Sequence, residues 1–398
     1  MEGVPCLRLP CLRVPHCHAQ KLREHLRSQE FLDRNVCIVK EPTGTVLVPI
    51  LPPCLQQLDQ TFLKDVTVVW CQASALSKKQ RCRRRGDKLE DLLQELLESH
   101  GESWTKEVRD DLPRSFQRHG DLILLGHNCF SLPVWEKFDQ QLWHTVAKGL
   151  GAKRLATMNR ISSDGFRSPQ VTVLLGEQSW VKHVDNGITY EFDVTKCMFS
   201  AGNITEKLRV AGFDCRGETV VDLYAGIGYF TLPYLVHAGA ARVHACEWNP
   251  HAVEALRKNL VINRVHDRCT VHPGDNRKVQ LCDIADRINL GLIPSSEDGW
   301  PVACRLLKKT TGGILHIHQN VTSANAMASH EENDAVSGKR ADREVWQAWA
   351  SATANRIVCL LKKLTTTTWR ANIQHIKHVK SYAPHVHHVV LDLECRPV

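Results

Sequence analysis

One segment constrains this chain more than any other: Val220-Val221-Asp222-Leu223-Tyr224-Ala225-Gly226-Ile227-Gly228-Tyr229-Phe230. A short apolar run, the length of a buried strand, ends in an acid, passes through a turn with two glycines and enters a helical pattern. Glycine at such a turn lets the backbone approach a ligand closely, which makes Gly226 and Gly228 candidate binding positions. This is not the dinucleotide fingerprint, because Thr231 stands where GxGxxG, counted from Gly226, needs its third glycine. The next strand ends at Glu247, 25 residues after Asp222, where an acid binds ribose hydroxyls in nucleotide-binding sheets. The third ends in Gly274-Asp275-Asn276, a carboxylate and an amide suited to an adenine amino group. Any one of these acids could merely cap a helix. Asp, Glu and Asp-Asn at three consecutive strand ends make a nucleoside pocket, with Asp222 expected to hold the glycine turn rather than act on substrate.

The pattern around this segment alternates. Strands are expected at 219–223, 242–246, 269–272, 287–290 and 314–317, and helices at 229–236, 249–262 and 346–360. Asn249 is placed as the N-cap of its helix, with Pro250 in the first turn. Alternation of this kind implies a parallel sheet covered by helices on both faces. Two further runs, 373–379 and 386–393, joined at Tyr382-Ala383-Pro384, read as a closing antiparallel hairpin. The architecture expected is therefore α/β, a class I methyltransferase-like (Rossmann-like) doubly wound sheet ending in a hairpin. A small α+β domain precedes it: strands at 122–125 and 171–175, a helix at 134–150, and a hairpin of 180–184 with 188–194 around Asp185-Asn186-Gly187. The boundaries expected are 1–111, 112–200 and 201–398, with a polar surface loop at 323–339.

The first hundred residues carry less pattern. Cys6, Cys11 and Cys17 lie in a proline-punctuated near-repeat without the paired spacing of a zinc site, so it reads as a surface segment, and no metal is expected. The basic run from Lys78 to Arg85 reads as a solvated loop before a helix at 89–98, with phosphate contact as its functional alternative. The 51 Lys and Arg against 43 Asp and Glu give a net charge of +8, a mild lean toward a polyanionic partner. The 16 cysteines, without a secretory signal, are expected as reduced thiols in a cytoplasmic protein. Residues 223–241 lack Asp, Glu, Lys and Arg, but Gly226, Gly228, Pro233 and His237 interrupt them, and no membrane span is expected.

Two stretches resemble a known family. Lys196-Cys197-Met198-Phe199-Ser200-Ala201-Gly202-Asn203-Ile204-Thr205-Glu206-Lys207-Leu208-Arg209, followed by the glycine segment, is similar to the tRNA guanine-37 methyltransferase and wybutosine-synthesis group, over about 112–398. The ring-nitrogen methyltransferases of this group carry Asn-Leu-Pro after the fourth strand. Here Asn289-Leu290-Gly291 puts glycine in place of proline. That departure resembles the aminocarboxypropyl-transferring branch, with guanine-37 ring-nitrogen methylation as the alternative. The resemblance implies S-adenosyl-L-methionine as group donor and a phenylalanine tRNA anticodon loop as partner. It implies transfer of the 3-amino-3-carboxypropyl group to carbon 7 of 4-demethylwyosine at position 37, with release of methylthioadenosine. It also implies that Ser200 and Lys207 touch the donor beside Glu247, Asp275 and Asn276. No general base stands out, and Asn289 is offered only as an acceptor-side candidate. Arg154, Arg160, Arg167 and the 78–85 run are candidate phosphate contacts, and Tyr229 or Phe230 a candidate stacking platform for a loop base.

Overall fold

A computed structural model describes residues 8–33, 36, 38–41, 43–58, 66–72, 78–162, 165–199, 203–323, 335–383 and 385–398. The chain divides into two compact units, one of Met1–Leu112 with Phe130–Lys153, the other of Pro113–Cys129 with Arg154–Val398.

In the first unit β1 (Arg8–Pro15), β2 (Val39–Lys40), β3 (Thr45–Pro49) and β4 (Thr67–Gln72) form an antiparallel sheet in the order β2-β3-β1-β4. Leu12 and Val14 alternate along β1 and meet Leu22 and Leu26, one turn apart on α1 (His16–Ser28). The expected surface segment is thus a central strand from Arg8 onward; Cys6 lies outside the described residues. Pro10 lies opposite Trp70 within the ladder to β4 and just before the ladder to β3, which begins at Cys11. The 78–85 run is also corrected: it opens a continuous helix, α2 (Lys78–Ser99), although its side chains lie outside what is described. Leu89, Leu93, Leu96 and Leu97 of α2 are buried. Gly149 on α4 (Asp139–Leu150) lets this helix approach Leu89, whose Cδ1 would stand 2.8 Å from an added Cβ. The helix expected over 134–150 is broken, because Pro133–Phe138 winds as a 3-10 turn and Asp139 takes φ 41°.

The second unit holds three sheets. β5 (Phe116–His119), β6 (Leu122–Gly126), β7 (Arg154–Ile161) and β8 (Pro169–Leu175) form a four-stranded sheet in chain order. β9 (Trp180–Asp185) and β10 (Ile188–Asp193) form the hairpin expected, with Asn186 at φ 49° and Gly187 at φ 77° in its two-residue turn. Ile188, Tyr190 and Phe192 alternate into the core. The outward groups of β10 are met by two asparagines one turn apart on α7 (Pro250–Ile262) and at its end: Asn259 Oδ1 accepts from Glu191 N at 2.7 Å, and Asn263 both accepts from and donates to the Thr189 backbone.

The large sheet contains β11 (Thr219–Asp222), β12 (Arg242–Glu247), β13 (Cys269–Pro273), β14 (Arg287–Leu290), β15 (Gly313–Thr322), β16 (Trp369–Ala383) and β17 (Val386–Pro397), in the order β13-β12-β11-β14-β15-β17-β16. The first five are parallel, and β17 runs antiparallel between β15 and β16, the doubly wound arrangement with a closing hairpin. One face packs on α7 and α6 (Thr231–Val236). The other packs on α8 (Trp300–Leu306) and α9 (Ala335–Leu364), whose Ala350, Ala354, Ile357 and Leu361 follow helical spacing. The loop expected at 323–339 gives way to α9 from Ala335, and 324–334 lie outside the described residues. Strand order reverses between β11 and β14, so their carboxyl ends diverge and leave a crevice. Among the described residues no helix is long and apolar enough to cross a membrane, and no group of three or more His, Cys, Asp or Glu could hold a metal.

β15 and β17 bury a histidine pair, His318 Nδ1 and His388 Nε2, 3.0 Å apart. Burial holds both imidazoles down at about 3, so neither takes up a proton in the native chain near neutrality. The unfolded chain protonates each near 6.5 and binds more protons below that value, so stability must fall with falling pH. Denaturant titrations between pH 7 and 5 should show this loss, with a slope approaching about 1.4 kcal/mol per pH unit for each histidine. His388→Leu should flatten the slope by about one proton; an unchanged slope would exclude His388 as a source.

Candidate functional site

The crevice is built from one buried carboxylate outward. Asp222 lies beside Asn289 in the β11–β14 register and is fully buried. Burial pushes its pKa up, while Asn289 Nδ2 at 3.0 Å, Thr231 Oγ1 at 2.8 Å and the backbone N–H groups of Tyr224 and Thr231 pull it down. One side chain thereby joins the ends of two strands to the start of α6.

Above it runs the glycine turn. Gly226 takes φ 56°, and an added Cβ there would stand 2.5 Å from Cε2 of Tyr229. Gly228 takes φ 103° and faces Leu232 and Leu256 instead, so its missing side chain serves packing between helices. Gly226 N donates to Glu247 Oε2 at 2.7 Å, while Oε1 accepts from Asn249 N at 2.8 Å. Glu247 is thus a clamp between the glycine turn and the start of α7; burial raises its pKa, and these backbone donors oppose the rise. Asn249 caps α7 as expected, accepting from His251 N at 3.0 Å. Asp275 is held below the usual carboxylate range by the Arg277 guanidinium. Asn276 Nδ2 donates to Leu223 O at 2.8 Å, and Asn276 also bonds the Tyr224 hydroxyl.

A cavity of about 890 Å³ opens here. Glu247, Asp275, Asn276 and Gly226 all line it, with Tyr224 and Trp248 beside them. Asp222, Gly228, Lys207 and Asn289 do not. Lys207 is buried on α5 (Ile204–Ala211), its ammonium ion-paired with Asp185 of the hairpin and 5.1 Å over the Phe199 ring. Asn289 lies beneath the cavity, with Oδ1 unpartnered. Ser200 and Gly202 lie outside the described residues. Gly291 lines the cavity, and a Cβ there would press on Asn289 Nδ2 at 3.1 Å and Phe230 at 3.3 Å. Glycine in place of proline therefore lets this wall pack closely on Asn289 and Phe230.

The nucleic-acid candidates divide. Arg167 lines the cavity, its NH1 3.0 Å from Ile293 O. Arg154 is corrected: its guanidinium is spent on Asp121 and on the Gln178 and Trp180 carbonyls, which ties β7 to the chain before β9. The side chain of Arg160 is outside what is described. Tyr229 is half-buried and lines the cavity, with its hydroxyl donating to Met198 O. Phe230 lines the cavity but is 4% exposed and lies edge-on to His318. Sequence reasoning missed His119 and Phe199, both in the cavity wall; Phe199 stacks on Phe192, their ring planes 10° apart.

Comparison with known proteins adds two family models: the TRM5/TYW2 methyltransferase domain matches residues 181–341, and the TYW2 N-terminal domain matches 93–179. The chain is 55% identical over 406 residues to the tRNA wybutosine-synthesizing protein 2 homolog of Danio rerio, covering 98% of this chain and 99% of the relative. Identity to the Homo sapiens homolog is 49% over 413 residues, 95% of this chain and 92% of that one. Pyrococcus horikoshii TYW2 in complex with MeSAdo superimposes with a TM-score of 0.57 at 28% identity, covering 77% of this chain and 99% of that chain. Trm5b from Pyrococcus abyssi, at 20% identity and a TM-score of 0.54, shares the fold over 98% of this chain and 99% of its own. The match to the Danio rerio relative includes the N-terminal region that offered no motif.

The glycine turn gives a direct test. Gly226→Ala should cost about 2–4 kcal/mol, combining left-handed backbone strain with the Tyr229 clash. Urea denaturation measures it, and a loss below about 0.5 kcal/mol would show that neither contact is as tight as described.

Proposed function

The chain belongs to the tRNA wybutosine-synthesizing protein 2 family, and from that premise we propose which of its residues carry the reaction and on which nucleotide. It is an S-adenosylmethionine-dependent tRNA-modifying transferase of wybutosine synthesis, and the group it moves is the 3-amino-3-carboxypropyl chain.

The acceptor is carbon 7 of 4-demethylwyosine at position 37 in the anticodon loop of phenylalanine tRNA. The residues in hand suit the donor's adenosine half: a carboxylate clamp, an amide and two aromatic walls line one cavity at the strand ends. Glu247 holds the ribose hydroxyls; burial raises its pKa, and its backbone donors oppose that rise. Asp275 and Asn276 receive the adenine edge, with Arg277 fixing the first and Leu223 O the second. Gly226 lets the backbone approach the donor. Asp222 and Gly228 support the turn from behind, and Asn289 positions β14 rather than touching the acceptor.

When bound, the donor supplies a sulfonium-activated carbon and leaves as methylthioadenosine once its longest arm has moved. Selection among the carbons on that sulfur is a matter of orientation. The observation that supports the reading is Gly291, which lines the cavity packed closely on Asn289 and Phe230, where the ring-nitrogen methyltransferases carry proline. Lys207, held by Asp185, braces the hairpin and Phe199 rather than the cavity itself. Ser200, as a donor contact, rests on the family resemblance alone. Arg167 at the cavity wall is the phosphate contact retained from the arginines considered.

The test uses tRNA with donor labelled separately in methyl and carboxyl carbon. Carboxyl label should enter the tRNA and methyl label should leave with the thioether; methyl label in the tRNA would overturn the assignment. Glu247→Ala should weaken donor affinity about 10- to 100-fold, the value of one or two charge-assisted hydrogen bonds. Calorimetric titration reads this, and unchanged affinity would remove Glu247 from the ribose.

A further inference from the structure

The cavity has a second wall that the donor assignment does not use. It comes from the four-stranded sheet: Gln117 and His119 of β5, Leu124 of β6, Met158 of β7 and Pro169 of β8. Among the described residues, the strands of this sheet bring no charged side chain to the cavity. Phe192 and Phe199 continue the apolar surface.

Two polar side chains interrupt that apolar character, the half-buried Gln117 and the fully buried His119. His119 is 2% exposed, and among the described residues neither Nδ1 nor Nε2 has a hydrogen-bond partner. Its neighbours are rings: Phe199 at 5.3 Å and Phe192 at 5.5 Å between centroids, both nearly perpendicular, and His183 at 5.3 Å. A buried polar group left unpaired costs about 1–3 kcal/mol, and a leucine here would avoid that cost. Burial, reinforced by the nearby His183, holds the imidazole down at about 4. It is therefore neutral near pH 7 and presents one donor and one acceptor nitrogen.

We infer that this wall is the subsite for the acceptor's heterocycle and that His119 hydrogen-bonds its ring edge. The inference rests on the function proposed above and adds the residue that recognises the base. Three observations select a flat, uncharged heterocycle as the occupant. The wall is apolar and aromatic, as a base extruded from a loop requires. Its fully buried polar group is a neutral donor–acceptor pair matched to the edge of a purine-type ring. The donor's ammonium and carboxylate would find no countercharge on these strands, whereas the adenosine-binding groups lie on β11, β12 and β13 and the turns that follow them.

Because His119 makes no hydrogen bond among the described residues, recognition and stability separate. His119→Leu should keep or raise the melting temperature and leave S-adenosylmethionine affinity within about twofold by calorimetry. It should lower kcat/KM for tRNA about 10- to 100-fold, the loss of one to two hydrogen bonds to a desolvated base. His119→Gln, which restores a donor and an acceptor, should recover part of that loss. Transfer by the unaltered chain is measured alongside, so that failure of the activity itself is distinguished from failure of the subsite. His119→Leu with unchanged tRNA kinetics would overturn the inference, as would a loss confined to donor affinity. A variant that melts much lower would do the same, since it would make the imidazole a structural group.

Discussion

The site depends on one buried carboxylate. Asp222 has no access to water and carries the desolvation cost of a charge in the interior. It persists because donors from three directions converge on it: the amide of Asn289 on β14, the hydroxyl of Thr231 on α6, and backbone N–H groups of the turn. These bonds make the strand end, the neighbouring strand end and the helix start a single rigid corner. The glycine turn is hung from that corner, and Glu247 clamps it from the β12 side. An acid in the first strand thus acts on the ligand only through the backbone it holds, and the acid of the second strand touches both the backbone and the cavity.

This division explains why residue type and position in the sequence are not enough to assign roles. Asp222, Glu247 and Asp275 occupy equivalent places after successive strands, yet Asp222 lies behind the cavity wall and the other two line it. Gly226 and Gly228 are two residues apart, yet the first leaves room for Tyr229 beside the cavity and the second admits the leucines of α6 and α7. The cavity is deep enough for such differences because its floor lies at the reversal of strand order, where neighbouring turns separate.

What was legible in the sequence was the local periodic part. The alternation from Thr219 onward placed all seven strands of the large sheet, and Asp185-Asn186-Gly187 placed the hairpin turn, because these signals are complete within a few residues. The first unit was opaque for the opposite reason. Its strands are short, the central one contains two prolines, and the meaning of Leu12 and Val14 depends on partners supplied by β3 and β4. For Lys207 the resemblance implies a donor contact, while the ion pair that holds it reaches Asp185, 22 residues away. Arg154 was misread, with its partner Asp121 33 residues distant. His119 gave no signal at all, because its significance lies in rings from β9, β10 and the segment after them.

The amides of α7 that face β10 have a consequence beyond holding the hairpin. A two-strand ribbon normally exposes a row of unsatisfied peptide groups on its outer side, an invitation for any extended chain to dock and propagate. Asn259 and Asn263 occupy that row at Glu191 and Thr189 with side-chain groups that imitate a third strand but cannot be extended into one. The ribbon is therefore closed to recruitment along this border and leaves no template there for self-association.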